Sequence, residues 1–166
     1  PNNARCHLTR SKFPNPLEPP SLCMLMRKQL LGGRILGVSQ SGGDRVVYVD
    51  MDTLNELGDH EARRLVLEIM GRHSNLMLLD GSGKILESTR HVNFEMSRYR
   101  QIQPGLYYEV PPEQNKLDFH GISAEALTTR VIGEGPVPFE KALMNTVAGL
   151  SRQTAEELAF RVGCAG

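Results

Sequence analysis

Gln40-Ser41-Gly42-Gly43-Asp44-Arg45-Val46-Val47 is the stretch where residue type and spacing most suggest binding chemistry. Two glycines let a ligand come close to the backbone, and a carboxylate and a guanidinium follow directly. Glu68-Ile69-Met70-Gly71-Arg72-His73-Ser74-Asn75 crowds Arg72, His73 and Asn75 into a bend between two apolar segments. Asp and Asn also stabilise turns by bonding their own backbone, so ligand contact and turn support are both open at each bend. Arg27, Lys28 and Arg34 add cations nearby in sequence. Arg27 and Lys28 fall off the apolar stripe of a helix and near its C-terminal end, where positive charge suits the helix dipole.

Catalytic signatures do not accompany these bends. The sequence contains no P-loop, dinucleotide fingerprint, G-x-S-x-G elbow or H-E-x-x-H, and His60-Glu61 lacks the second histidine of a zinc helix. His7, His60, His73, His91 and His120 never approach metal-ligand spacing. Cys6, Cys23 and Cys164 are widely spaced, with no C-x-x-C pair, and read as inert thiols in a reducing compartment. The expectation is a binding module rather than an enzyme, with no metal and no cofactor.

Charge is uneven although the 166 residues sum to zero. Residues 1–45 carry seven Lys and Arg against Glu18 and Asp44, whereas residues 46–70 carry six acids against Arg63 and Arg64. A basic surface for phosphate and a solvated mixed surface are both compatible with that distribution. Apolar runs fall far short of the roughly 18 residues that cross a membrane. No basic-then-apolar leader opens the chain, so a cytoplasmic protein without membrane contact is expected. A start at Pro1 and a stop at Gly166 read as the ends of a piece of something longer.

The elements that must hold these residues alternate clearly. Pro14, Pro16, Pro19 and Pro20 make an extended entry, Ser21 caps a helix carrying Leu22, Leu25, Met26 and Leu30, and Gly32-Gly33 ends it. Strands follow at about 34–40, 44–52, 63–70, 75–80 and 84–89, with hairpin turns at Ser41-Gly42-Gly43 and Asp80-Gly81-Ser82-Gly83. Within 63–70, Leu65, Leu67 and Ile69 share one face, and Arg64 and Glu68 the other. A strand near 4–9 and a short one around 106–109 complete an antiparallel meander, and residues 93–116 wrap it. After Gly121 the period becomes helical: Ser123 caps one helix, Pro138 opens a second, and Gly149 stops it before Ser151 caps a third with Ala155, Leu158, Ala159 and Val162 on one stripe. The last two make a helical hairpin whose helix start can meet a phosphate or simply pack. The fold class is α+β, divided into 1–120 and a helical segment 121–166.

Several separated motifs resemble the NFACT-N domain of the RqcH/NEMF family, whose bacterial members have also been named fibronectin-binding proteins. They are Asn3-Ala4-Arg5-Cys6-His7-Leu8-Thr9, Pro19-Pro20-Ser21 through Arg27-Lys28, Gly32-Gly33-Arg34-Ile35, the Gly-x-Asp-Arg turn, Gly71-Arg72-His73-Ser74-Asn75, Tyr99-Arg100, Pro104-Gly105 and Pro111 to Lys116. Leu22 stands where a Phe is common and Gln29 where a His is common. The resemblance implies a ribosome quality control factor that binds a large ribosomal subunit obstructed by an unfinished peptide. It recruits tRNA, alanyl-tRNA in bacteria, for template-free tailing of that peptide. The same resemblance implies that Asp44 and Arg45 serve tRNA recruitment, and it places Arg72, His73 and Asn75 in a matched motif without a set role. It further implies an antiparallel sheet or sandwich core related to the N-terminal fold of formamidopyrimidine-type glycosylases. Glycosylase chemistry itself is not expected, because Pro1 precedes Asn2 instead of Glu. Fibronectin is the alternative partner, from the older family name.

One geometric question attaches to the first bend. If strand pairing begins at Asp44, Arg45 shares a face with Val47, Val49 and Met51 while Asp44 points away. Either Asp44 still lies in the glycine turn, with a bulge that re-aims the pair, or the two residues divide ligand contact and turn support; the expectation is one site with two roles.

Overall fold

The structure is a computed structural model that describes residues 5–41, 44–112 and 115–163. Gly42, Gly43, Cys164 and the Asn3-Ala4 end of the first motif lie outside the described residues.

Two compact units divide the chain: Pro1–Ser41 with Arg45–Pro111, and Gly42–Asp44 with Pro112–Gly166. In the first unit residues 5–18 are exposed, and residues 5–9 form no strand, correcting the expectation of one near 4–9. They make no ladder with a neighbouring strand, so alternation alone does not produce pairing. Helix α1 (Ser21–Leu30) follows. Pro20, not Ser21, occupies its N-cap position, and no side chain caps the first turn. Leu22 is its buried anchor, and Gly32 leaves the helix at φ 81°. Gly33 is required by close approach, since a Cβ there would fall 2.7 Å from Thr53 Cγ2.

Five strands then form one antiparallel sheet in sequence order: β1 (Arg34–Gln40), β2 (Val46–Leu54), β3 (His60–Glu68), β4 (Asn75–Asp80) and β5 (Ile85–Ser88). β2 and β3 are shifted from the expected 44–52 and 63–70 because a tight turn joins them. Asn55 Oδ1 accepts from the Leu57 and Asp59 amides, both at 2.9 Å, and so fixes that turn. The expected strand at 106–109 is a single bridge, Lys84 with Tyr107.

Opposed residues share a face, so register sorts the sheet. Tyr48, Val66 and Met77 line up on one side, and Val49, Leu65 and Leu78 on the other. The first side carries the core of Val46, Val66, Met77, Leu79, Ile85 and Ile102. Alternation in β3 therefore holds, but the face with Glu68 is the more deeply buried one at its end, while Leu65 and Leu67 are half-buried. On their side α1 contributes Gln29, whose Oε1 accepts from Arg63 Nε at 3.0 Å.

In the second unit, α2 (Ala124–Gly133), α3 (Phe139–Thr146) and α4 (Arg152–Arg161) form the helical part. Ser123 and Ser151 cap α2 and α4 as their positions require, accepting from the amides of Ala126 and Thr154. Pro138 sits at the N-cap of α3. Ala155 and Ala159 of the α4 stripe are buried, whereas Leu158 and Val162 are exposed. Leu117 joins this unit through a parallel bridge to Val147. The molecule is thus an α+β protein with an antiparallel sheet.

Candidate nucleic-acid interface

Strand order brings the two polar bends to one end of the sheet. β2 starts at Val46, opposite Glu68, and Glu68 in turn faces Asn75, the first residue of β4. The Ile69 amide donates to the Arg45 carbonyl at 2.9 Å, so the β1–β2 and β3–β4 turns are hydrogen-bonded neighbours. Asp44 and Arg45 precede the strand, and both are exposed bend residues. Pairing from Asp44 onward is therefore corrected: the Ser41 amide closes the loop on the Val46 carbonyl at 3.1 Å, leaving the Asp-Arg pair in the turn.

The second turn divides into a presented part and a supporting part. Gly71–His73 is a short 3-10 helix entered at φ 56° on Gly71, a conformation that suits glycine. Arg72 and His73 are exposed, with Arg72 Nε donating to His73 Nε2 at 3.0 Å. Beneath them Ser74 Oγ accepts from the Met70 amide at 2.9 Å. Asn75 is only 6% exposed. Its Oδ1 accepts from Thr89 Oγ1 and the Arg90 amide, and its Nδ2 donates to the Arg90 carbonyl at 2.7 Å. Arg90 Nη1 then reaches the Arg72 carbonyl at 2.8 Å. Asn75 thus clamps the base of the turn while Arg72 and His73 face outward.

A buried charge network underlies the same turn. Glu68, 2% exposed, receives Arg100 Nη1 and Nη2 on its two oxygens at 2.6 Å each, and the Tyr108 hydroxyl at 2.9 Å. Arg100 Nη1 also donates to the Glu109 carbonyl at 2.8 Å. Burial works against the Arg100 charge, but the hydrogen bonds and field of Glu68 raise its pKa nonetheless. Burial, reinforced by the Glu68 charge, pushes the Tyr108 phenol well above the usual tyrosine range. The sequence put Glu68 in the bend and Tyr99-Arg100 in a motif, but nothing in the spacing of residues 32 apart revealed that they pair.

Lys28 and Arg34 lie elsewhere, whereas Arg27 lines a groove with Leu76 and Thr89, beside Asn75. Arg34 is opposite Asp52, six residues along β2 from Val46, roughly 20 Å from the turns at ~3.3 Å per residue. Its guanidinium is 3.9 Å from Asp52, and Lys28 reaches Glu56 at 2.9 Å in the β2–β3 turn. Asp50 pairs with Arg64 at 2.6 Å, and Asp52 with His60 at 2.9 Å. The acidic block of the sequence is thus interleaved with bases across strands, which weakens the one-sided charge read from the linear order.

Paired turns thus expose Arg45, Arg72 and His73 beside the buried Glu68–Arg100 network. The chain belongs to the family described as NFACT N-terminal and middle domains, which matches residues 1–165. It is 36% identical over 167 residues to a Bacillus subtilis protein named Rqc2 homolog RqcH, covering 99% of this chain and 29% of that one. A protein of the same name from Streptococcus suis is 40% identical over 156 residues, covering 93% and 28% respectively. The chain thus spans less than a third of the length of these relatives. Among solved structures, the N-terminal domain of the fibronectin-binding protein PavA from Streptococcus pneumoniae superposes with a TM-score of 0.81 at 38% identity, over 96% of this chain and 59% of that one. Among the described residues, no helix is long and apolar enough to cross a membrane.

Proposed function

We propose that this chain is the RNA-binding part of a ribosome quality control factor, which engages an obstructed large ribosomal subunit and recruits tRNA for template-free tailing of the stalled peptide. In bacteria the recruited species is alanyl-tRNA. The observation that carries this reading is the Ile69–Arg45 hydrogen bond, which sets Arg45 beside the turn that presents Arg72 and His73. Similarity to proteins named Rqc2 homolog RqcH supports the biological setting.

In this reading Arg45 meets a phosphate or a guanine edge through its planar fork, and Asp44 accepts from a base amino group or a ribose hydroxyl. Arg72 and His73 extend the contact along the backbone. Asn75 acts through the turn it clamps. Lys28 and Arg34 add weaker phosphate contacts at the far end of the sheet, and Arg27 adds one nearer the second turn. The protein performs no bond-forming step of its own, requires no cofactor and works in the cytoplasm, with the ribosome supplying the chemistry.

Cosedimentation tests the setting. Full-length protein should travel with large ribosomal subunits in a salt-sensitive manner, and absence from that fraction at low salt sinks the reading. The resemblance to fibronectin-binding PavA favours a second reading, a surface adhesin. Immobilised fibronectin should then retain the protein as strongly as the subunit does, and fractionation should place it at the cell surface.

A further inference from the structure

Beside the Glu68–Arg100 network, the segment wrapping the sheet carries three of the chain's nine aromatic residues in one open cleft that Arg100 also lines. The sequence has five Phe and four Tyr. Phe94 is 63% exposed, Tyr99 86% and Tyr107 59%, and all three line a cleft of about 440 Å³ together with Arg98, Gln101 and Glu109. That size falls within the roughly 300–1,000 Å³ of small-ligand sites. Aromatic faces left in water at this density mark a binding surface more often than a folding requirement.

The fold explains why the cleft stays open. Val92 and Ile102 exchange two backbone hydrogen bonds, at 2.9 and 2.8 Å, closing residues 93–101 into a loop. Asn93 Oδ1 accepts from the Met96 amide, and Ser97 Oγ from the Tyr99 and Arg100 amides. Ile102 and Arg100 anchor the loop inward, so Phe94, Arg98 and Tyr99 are not needed to hold it. The opposite wall is fixed by Ile85 donating to the Leu106 carbonyl and Tyr108 donating to that of Gly83. Tyr108 turns in to Glu68 and its neighbour Tyr107 turns out, with Lys84 Nζ 5.3 Å from the Tyr107 ring centroid. Among the described residues, neither the Arg98 guanidinium nor the Glu109 carboxylate forms an ion pair or hydrogen bond, although both line the same cleft.

We propose that this cleft binds an unpaired nucleotide of RNA, its base stacked among Phe94, Tyr99 and Tyr107, its phosphate met by Arg98 and its amino edge by the Glu109 carboxylate. Aromatic faces accept any base, a guanidinium meets phosphate, and an ionised carboxylate accepts only from donors such as exocyclic amino groups. An uncharged proline-rich peptide would use the rings and leave both charges idle. The inference rests on the RNA-binding reading above and adds a second, single-strand subsite to it.

The test is fluorescence anisotropy with full-length protein and a short labelled single-stranded RNA of mixed sequence, with tRNA measured in parallel. Tyr99→Ala and Phe94→Ala should each weaken oligonucleotide binding roughly 5- to 150-fold, the range of one lost stacking contact. Tyr99→Phe should stay within about 2-fold of wild type, because the ring is kept. Arg98→Ala should lower the salt slope by about one phosphate's worth. All these side chains are exposed, so unfolding midpoints should match wild type. The proposal falls if wild type ignores the oligonucleotide, if the alanine variants bind it normally, or if a proline-rich peptide displaces it. Loss of tRNA binding in Asp44→Ala/Arg45→Ala with a normal Tyr99→Ala would overturn the cleft alone. The reverse pattern would keep the cleft and overturn the turn assignment.

Discussion

Arg100 meets Glu68 through both terminal nitrogens at 2.6 Å, beneath the turn that presents Arg72 and His73. Glu68 ends β3 opposite Val46 and Asn75, so this ion pair sits where three strands and the wrapping segment converge. The cost of burying both charges is met by Tyr108 and the Glu109 carbonyl, which complete the hydrogen bonding.

Breaking that pair from one side should leave a buried charge unpaired. Arg100→Ala or Glu68→Ala is expected to lower unfolding free energy by about 3–5 kcal/mol in urea titrations. Glu68→Met with Arg100→Met should lose less than the sum of the single changes, since no charge is stranded. Additive losses would contradict the network.

Tyr108 gives the pH dependence. Its folded pKa is raised above the ordinary 10.0 by burial first and by the Glu68 charge second. The unfolded phenol ionises near that value while the folded one stays protonated. The stabilising contribution is thus fully present below it and is lost as pH rises beyond it. Unfolding midpoints followed from neutral pH into the alkaline range should fall less steeply for Tyr108→Phe than for wild type. Parallel slopes would show that the phenol does not carry the effect.

Asn75 and its exposed neighbours should separate stability from binding. Asn75→Ala removes the clamp on Thr89 and Arg90 and should cost about 2 kcal/mol of stability. Arg72→Ala and His73→Ala should stay within about 0.5 kcal/mol of wild type in thermal unfolding while weakening RNA binding. A stable Asn75→Ala protein would remove the division between clamp and contact.

Local chemistry was legible where it acts locally. Ser123 and Ser151 cap the helices that follow them, and Asp80 Oδ1 organises the Asp80-Gly81-Ser82-Gly83 turn by accepting from Ser82 and Lys84 amides. The β2–β3 turn was not legible, because Asn55 acts through a side-chain bond that mimics backbone and leaves no glycine-rich signal. Alternation put Glu68 on the face of Arg64 and opposite Leu65 and Leu67, and its burial was not legible because its partner Arg100 lies in the irregular loop 93–101. The lining of the aromatic cleft is spread over a loop without periodicity, so composition gave no hint that Phe94, Tyr99 and Tyr107 converge. The position of Arg45 within the turn depended on where pairing began, a shift of two residues that alternation alone could not resolve.

Equilibrium binding of tRNA by full-length protein, wild type against Asp44→Ala/Arg45→Ala at fixed moderate salt, addresses the central claim most directly. The account predicts that the double variant folds normally, loses at least about tenfold in affinity and no longer supports tailing. Binding and tailing equal to wild type would contradict it.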